Sequence, residues 1–162
     1  MGEAGVLPDV ASVTVRLLVA VLAGGAIGIN RELQHKPAGL RTHALVALGA
    51  ATVIVVTQGM QLTPDANATS RVIQGIITGI GFLGAGVILH PSGQSSVRGL
   101  TTAATIWIAA GLGTACGTGL WPVAAVATIL AVFVLLAGQW FERWIHRAAE
   151  RFRSSGDGRA SR

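Results

Sequence analysis

The chain has 162 residues, of which 51% are hydrophobic and 12% are charged, and its formal net charge is +5 at pH 7. Soluble domains carry about 25% charged residues, so this composition excludes an ordinary soluble globule, and its hydrophobicity excludes a disordered chain. The length favours one domain, and the expected class is therefore an integral membrane protein.

Uncharged segments divide the chain into five predicted membrane-spanning helices. A span needs about 20 mainly apolar residues. Arg16 lies in the first third of the first span, where its long side chain can reach the headgroups, and no basic residue precedes it as a signal peptide would require. The later gaps between charges are 23, 26 and 43 residues long, and a Gly/Pro turn at 117–122 divides the last. The predicted spans are 10–30, 42–60, 72–90, 99–116 and 123–141.

The basic residues predict an orientation for this all-α bundle. Five spans place the loops alternately on two sides, and the side richer in Lys and Arg is expected to be cytoplasmic. We therefore expect the N-terminus outside and the C-terminus inside. Arg16 and Arg71 fall on the outer side, and eight basic residues fall on the other: Arg31, Lys36, Arg41, Arg98, Arg143, Arg147, Arg151 and Arg153.

Residues 142–162 are predicted to form a basic juxtamembrane helix followed by a disordered cytoplasmic tail from residue 154. Arg143, Arg147 and Arg151 repeat every four residues and so share one helix face. Such a face beside aromatic residues is typical of contact with anionic headgroups. The lipid surface is therefore the expected partner of the basic residues, and nucleic acid is not.

The cysteine and histidine residues give little sign of a metal or cofactor site. Cys116 stands in an apolar segment, where an inert packing role is expected. The histidines fall near predicted cytoplasmic boundaries, so interfacial roles are expected, and a proton-linked role is left open for His43. No cofactor is expected, although Mg²⁺ stays open as a ligand. The histidines are His35, His43, His90 and His146.

The glycines predict close helix packing. Residues 79–84 match the G-x-G-x-x-G pattern, but they lie inside an apolar run with no acidic residue at the spacing of a dinucleotide site. Small residues instead let helices approach closely in lipid, which makes 75–86 the predicted central helix. The alternative is a kinked helix that exposes carbonyl groups to an ion. The predicted packing residues are Gly24, Gly28, Gly75, Gly79, Gly81, Gly84 and Gly86.

Three segments taken together resemble the MgtC/SapB family of bacterial inner-membrane proteins. They are GINRE at 28–32 with KPAGLRTH at 36–43, RV at 71–72 with GIGFLGAGVI at 79–88, and VRGLTTAATIW at 97–107. The resemblance implies a five-helix membrane domain, a link to growth in low magnesium, and virulence in pathogens. It also implies either magnesium transport or regulation of other membrane machinery such as the F-type ATP synthase.

The chain departs from the family pattern in two places. Asn30 stands where many members have Glu before the Arg, which puts a charge-based role there in doubt. The chain is also expected to be a short form without the soluble C-terminal domain that many members carry. A homo-oligomer, with a dimer favoured, is expected in the inner membrane.

The distribution of carboxylates favours a non-enzymatic regulator over a transporter. Mg²⁺ is usually held through one or two carboxylates, and transporters bind their ions near the membrane midplane. Glu32, Asp65 and Glu142 all fall near the membrane faces, and none falls within a predicted span. An oligomeric transporter of Mg²⁺ or another cation remains the alternative. Asp65 is a candidate cation-sensing residue.

The predicted docking site consists of polar residues at the cytoplasmic face. We expect Glu32, Arg41 and Arg98 to form a cluster that docks a partner protein or an anionic ligand, with the start of the fourth span favouring anions. Headgroup anchoring and internal ion pairing explain the same residues equally well. No catalytic arrangement is recognisable. The complete predicted set is Arg31, Glu32, Lys36, Arg41, Thr42, His43, Arg98, Thr101 and Thr102.

Overall fold

The computed structural model describes residues 9–60, 65–88 and 97–157, with side chains described as far as Phe141. These residues form five helices, each containing a segment long and apolar enough to cross a membrane, so the predicted all-α fold is confirmed. The helices are α1 (Val10–Leu33), α2 (Leu40–Gly59), α3 (Ala66–Val87), α4 (Leu100–Thr118) and α5 (Trp121–Asp157).

The helix ends differ most from the predicted spans at the start of α3 and the end of α5. α3 begins at Ala66 rather than at residue 72, because Asp65 caps its first turn through a 2.8 Å hydrogen bond from the amide of Asn67. α5 continues beyond the predicted span to Asp157. The first residues of the predicted disordered tail, 154–157, therefore belong to α5, and 158–162 lie outside the described residues.

Helices α1, α2 and α4 pack into a three-helix core. α3 packs mainly on α4, and α5 packs on α1 and α4. The innermost residues are small, with Ala20, Ala47, Ala51 and Cys116 fully buried in one cluster. Cys116 thus lies in the packed apolar interior where the sequence placed it. The small side chains allow three helix backbones to come close together without a bulky core.

Four glycines mark the closest approaches between helices. A Cβ on Gly24 would lie 2.5 Å from the carbonyl oxygen of His43, and one on Gly28 would lie 2.6 Å from the Cα of Leu40. On the other face of α2, Gly113 packs directly on the carbonyl of Ala47, and Gly117 packs one turn further along. No larger residue fits these positions without separating α2 from α1 or α4.

The prediction that residues 75–86 form the central helix is wrong for the single chain. None of the residues of α3 is buried within the described structure, whereas more than half of the spanning segment of α4 is. A Cβ on Gly75, Gly79, Gly81 or Gly86 would meet no atom within 4 Å, and one on Gly84 would meet only Ala103 at 3.7 Å. The glycines of α3 therefore lie along an exposed surface, and the packing predicted for them stays a prediction for contacts outside the chain.

The turn between α1 and α2 is fixed by two residues in the left-handed region. His35 has φ 53° and follows α1, where the amide of Lys36 donates to the carbonyl of Arg31 at 3.1 Å. This bond closes the helix end in a Schellman arrangement. Ala38 has φ 57° just before Gly39, the N-cap of α2. The tight turn brings the end of α1 and the start of α2 to the same end of the bundle.

Candidate functional site

The basic end of the bundle is the end where α1 finishes, α2 begins and α4 begins. Arg31, in the last turn of α1, is only 4% exposed. Its Nη2 donates a 2.8 Å hydrogen bond to Oγ1 of Thr102, in the first turn of α4. Its Nε is buried, and no described residue forms a hydrogen bond with it. A buried guanidinium with an orphaned nitrogen is costly, so this arginine calls for an explanation beyond packing.

His43 lies behind this contact and is fully buried. Its Nδ1 is 2.9 Å from the carbonyl oxygen of Gly39, and its Nε2 is 2.9 Å from Oγ1 of Thr105. Oγ1 of Thr105 also lies 2.9 Å from the carbonyl oxygen of Thr102, within hydrogen-bond distance. A polar network therefore runs through the core from α2 to α4 and meets Arg31 at Thr102.

The hydrogen atoms of this network can be assigned from its geometry. A carbonyl oxygen only accepts, so Nδ1 of His43 carries a hydrogen. The single hydroxyl hydrogen of Thr105 serves either the Thr102 carbonyl or Nε2 of a neutral His43, but not both. A His43 that also carries a hydrogen on Nε2 is compatible only with the bond from Thr105 to the Thr102 carbonyl. The state of His43 is thus coupled to the bonding of the first turn of α4.

A cavity of about 910 Å³ opens beside Arg31 at the basic end. Its lining includes the basic side chains of Arg31, Lys36 and Arg98. The amides of Gln34 and Gln139 also line it. The remaining polar lining comes from the first turn of α4, at Thr101 and Thr102, and apolar residues of α3 and α5 close its other sides.

The start of α4 is shaped by Gly99, its N-cap. Gly99 has φ 94°, a conformation that favours glycine, and a Cβ there would collide with the carbonyl of Val87. Among the described residues, no side chain caps the first turn of α4. The free amide groups of the turn and the positive end of the helix dipole therefore lie beside the cavity.

The structure places the predicted docking residues in two groups. Arg31, Lys36, Arg98, Thr101 and Thr102 line the cavity, and His43 lies in the core behind it. Arg41 and Thr42 are exposed at the start of α2 and do not line it.

Glu32 has a local role at the start of α2. Its Oε2 accepts a 3.2 Å hydrogen bond from the amide of Leu40 and so caps the helix. Of the predicted cluster of Glu32, Arg41 and Arg98, only Arg98 lines the cavity. Glu32 was expected to join the arginines at this face, but after the turn at His35 and Ala38 its carboxylate meets the backbone of α2 instead.

Asp65 lies at the opposite end of the bundle and is exposed. Its carboxylate caps α3 through the amide of Asn67, so it has a structural role besides the predicted cation sensing. Arg71 is exposed on the same helix. Within the described residues, no group of three or more His, Cys, Asp or Glu side chains is arranged to hold a metal ion. His90 and the side chain of His146 lie outside the described residues.

Sequence reasoning missed the role of Arg16. It was expected to reach the headgroups, but its Nη1 donates to Oε1 of Gln58 and to the carbonyl of Gly117, both at 2.8 Å. These partners lie near the ends of α2 and α4, so Arg16 ties the core together at the end opposite Arg31. Placement of an arginine within an apolar span is the signal that could have indicated an interior role.

The sequence also did not indicate an amide group at the rim of the cavity. Oδ1 of Asn30 accepts from Nε2 of Gln34 at 2.7 Å and from Nε2 of Gln139 at 3.4 Å. Asn30 thereby links α1 to α5. Where many family members are expected to have a Glu, this chain therefore uses the neutral side chain of Asn30 to form hydrogen bonds.

Comparison with known proteins identifies the family of the chain. The model of the MgtC family matches residues 17–144. The chain is 43% identical to protein SrpB of Synechococcus elongatus over 147 residues, which are 84% of this chain and 81% of SrpB. No solved structure matches it. The chain belongs to the MgtC family, as its motifs predicted.

The relatives named MgtC are longer than this chain. It is 48% identical to protein MgtC of Brucella abortus over 115 residues, which are 71% of this chain and 46% of that protein. The match to protein MgtC of Salmonella typhimurium is also 48%, over 70% of this chain and 47% of that protein. The match therefore covers about half the length of these relatives.

Proposed function

We propose that this member of the MgtC family is a non-enzymatic regulator in the bacterial inner membrane that supports adaptation to low magnesium. In this role it binds other membrane machinery, with the F-type ATP synthase as the first candidate, rather than carrying ions itself. The names of the relatives support a protein of the MgtC type, and the charges within the bundle favour regulation over transport.

The observation that carries the proposal is the sign of the charges in the core. Arg16 and Arg31 place a guanidinium at each end of the α1–α2–α4 core. Positive side chains along a pathway repel cations, as arginines do in pores that exclude them. The carboxylates that the structure describes, by contrast, lie outside the core, with Glu32 and Asp65 occupied at helix starts. A Mg²⁺ ion would therefore meet repulsion at both ends of this core, and the described residues offer no set of ligands to compensate it.

The surface that we assign to partner binding is the exposed basic part of the same end. Arg41 and Thr42 are exposed at the start of α2, and Arg98 is exposed beside the cavity. Exposed arginines can form bidentate hydrogen bonds to carboxylates of a partner protein. We expect a homo-oligomer, and the exposed glycines of α3 provide a surface on which a second helix can approach closely.

Reconstitution into liposomes tests regulation against transport. Purified protein is placed in liposomes that enclose a Mg²⁺ reporter, and the expected result is the same influx as in empty liposomes. Asp65→Asn is the matched control, since Asn also caps helices and should preserve α3. Influx through the wild type that Asp65→Asn abolishes would establish the transporter instead.

A binding experiment tests the partner surface. Tagged wild type is expected to retain ATP synthase subunits from membranes of the source cells, and Arg41→Ala with Arg98→Ala is expected to retain less. The growth defect of a deletion strain in low magnesium should be restored by the wild type and not by the double variant. Full retention and full growth with the double variant would rule out this surface.

A further inference from the structure

We propose that the cavity at the basic end is a binding site for a phosphate-class oxyanion, held by Arg31, Lys36, Arg98 and the first turn of α4. The inference rests on the proposed function only for its physiological use, since binding itself is measured separately. It assigns the cavity one class of ligand, either a soluble phosphate or the phosphate of a lipid headgroup.

The first argument is the contrast between the two arginines within α1. Each has a buried Nε without a hydrogen-bond partner among the described residues. Arg16, however, meets the carbonyl of Gly117 near the C-terminus of α4, which is the negative end of that helix. Arg31 meets the N-terminal turn of the same helix, where the dipole is positive, and its partner is a neutral hydroxyl. Arg31 therefore lies in a field that an anion would compensate.

The second argument is the uncompensated charge of the cavity. Three basic side chains line it, and no Asp or Glu is among the described residues that line it. The carboxylate next to Arg31 in sequence, that of Glu32, is bonded to the amide of Leu40. Concentrated positive charge without a counter-ion is typical of sites that recognise phosphate, particularly where arginine is present.

The third argument is the supply of neutral donors beside these charges. No described side chain caps the first turn of α4, so its amide groups are available to an oxyanion. The hydroxyl of Thr101 also lines the cavity. An oxyanion there would find both charged and neutral donors around it.

The size of the cavity bears on the source of the phosphate. About 910 Å³ exceeds what inorganic phosphate alone requires and leaves room for an attached organic group. The apolar residues Val134 and Leu135 of α5 line one side, while Lys36 and Arg98 are exposed. This combination suits a phosphate attached to an organic group. The same chemistry is present in a soluble phosphorylated compound and in a lipid headgroup, and the test separates the two.

Binding is measured on the full chain in nanodiscs of phosphatidylcholine, with inorganic phosphate as the soluble probe. Equilibrium dialysis of labelled phosphate gives the affinity, and the rise in unfolding temperature with phosphate confirms it. Chloride keeps the ionic strength constant. Native mass spectrometry of protein from nanodiscs that also contain phosphatidylglycerol measures retention of the lipid probe.

The variants are Arg98→Gln and Lys36→Gln, both at exposed positions, so they preserve the buried contact of Arg31. Each is expected to weaken binding about tenfold, because each removes a charged donor. Arg41→Gln is the matched control, since it removes an exposed charge from the same end outside the cavity. Arg31→Gln is made as well, with a check of folding.

The site with a soluble ligand is supported if inorganic phosphate binds in phosphatidylcholine nanodiscs and the cavity variants, but not Arg41→Gln, weaken that binding. Retention of phosphatidylglycerol that follows the same pattern, without binding of inorganic phosphate, supports it with a headgroup. If neither probe separates the cavity variants from wild type, or if Arg41→Gln has an equal effect, the proposal is overturned. The regulatory role fails on the Mg²⁺ influx measurement instead, so the two failures are distinguishable.

Discussion

Arg31 of α1 and Thr102 of α4 form a buried hydrogen bond of 2.8 Å between residues 71 positions apart in the chain. Thr102 is 2% exposed, and its carbonyl oxygen lies 2.9 Å from the hydroxyl of Thr105, which also contacts His43. One threonine therefore joins a cation on α1 to the polar network of α2 and α4. The relationship explains how a charged residue is held at the end of a core made mostly of alanine and glycine.

Replacement of Thr102 by Val should destabilise the protein. Val has nearly the shape of Thr, but it leaves Nη2 of Arg31 without its partner in a buried position. The expected loss is about 1–3 kcal/mol in the free energy of unfolding, because a buried donor then remains unsatisfied. Thermal or denaturant unfolding in detergent measures it.

Thr101→Val is the control for this prediction. Thr101 is exposed on the neighbouring position of α4, and no hydrogen bond of its side chain is found in the described structure. Its replacement should change stability by less than about 0.5 kcal/mol. Equal losses of unfolding free energy in the two variants would show that the Arg31–Thr102 hydrogen bond contributes no more than an exposed hydroxyl does.

Gly24→Ala and Gly79→Ala should have opposite consequences. The new Cβ at residue 24 would lie 2.5 Å from the carbonyl oxygen of His43, so α1 and α2 must separate, at a cost of about 1–3 kcal/mol. The new Cβ at residue 79 meets no atom within 4 Å, and alanine is the better helix former by about 0.5–1 kcal/mol. Unfolding of the two variants in the same detergent provides the comparison.

A larger residue on α3 tests whether its exposed glycines contact another copy. Gly79→Leu and Gly81→Leu should leave the fold of one chain intact, since both positions are open. Light scattering combined with gel filtration should show a smaller assembly than wild type. A folded variant with an unchanged assembly would remove α3 from the oligomer interface.

Charge gaps were sufficient to predict the number of helices, because a membrane imposes the same length and the same lack of charge on every span. They could not identify the core. Small residues occur on α1, α3 and α4 alike, and the glycines of α3 are as dense as those at Gly24 and Gly113. Only the packing shows which glycines contact a neighbouring backbone.

The sequence predicted that basic residues would gather at this face, but not which individual residues line the cavity. Arg31, Lys36 and Arg98 were all expected at the same membrane face, and the structure places them around one cavity. Glu32 was expected to cluster with Arg41 and Arg98 because all three fall at the same membrane face. The left-handed conformation of His35 and Ala38 is not evident from their residue types, so the redirection of Glu32 could not be foreseen.

The hydrogen-bond partners of His43 predict its tautomer. The neutral ring should carry its hydrogen on Nδ1, because the carbonyl of Gly39 cannot donate. Nitrogen NMR of protein labelled at its four histidines should show this form, with the signal assigned by its loss in His43→Asn. Exposed His35 supplies the reference. A neutral His43 with its hydrogen on Nε2 would contradict the bond to Gly39.

His35→Gly should stabilise the turn between α1 and α2. His35 has φ 53°, a conformation that is strained for any residue with a Cβ but not for glycine. The hydrogen bonds from its amide to Glu32 and from the amide of Lys36 to Arg31 involve only the backbone, so they are kept in the variant. The gain should be about 0.5–1 kcal/mol, since the flexibility of glycine in the unfolded chain offsets part of the relief. His35→Ala keeps the Cβ and removes only the ring, so it should give no gain. Unfolding measurements in which the two variants are equally stabilised would assign the effect to the ring rather than to the backbone.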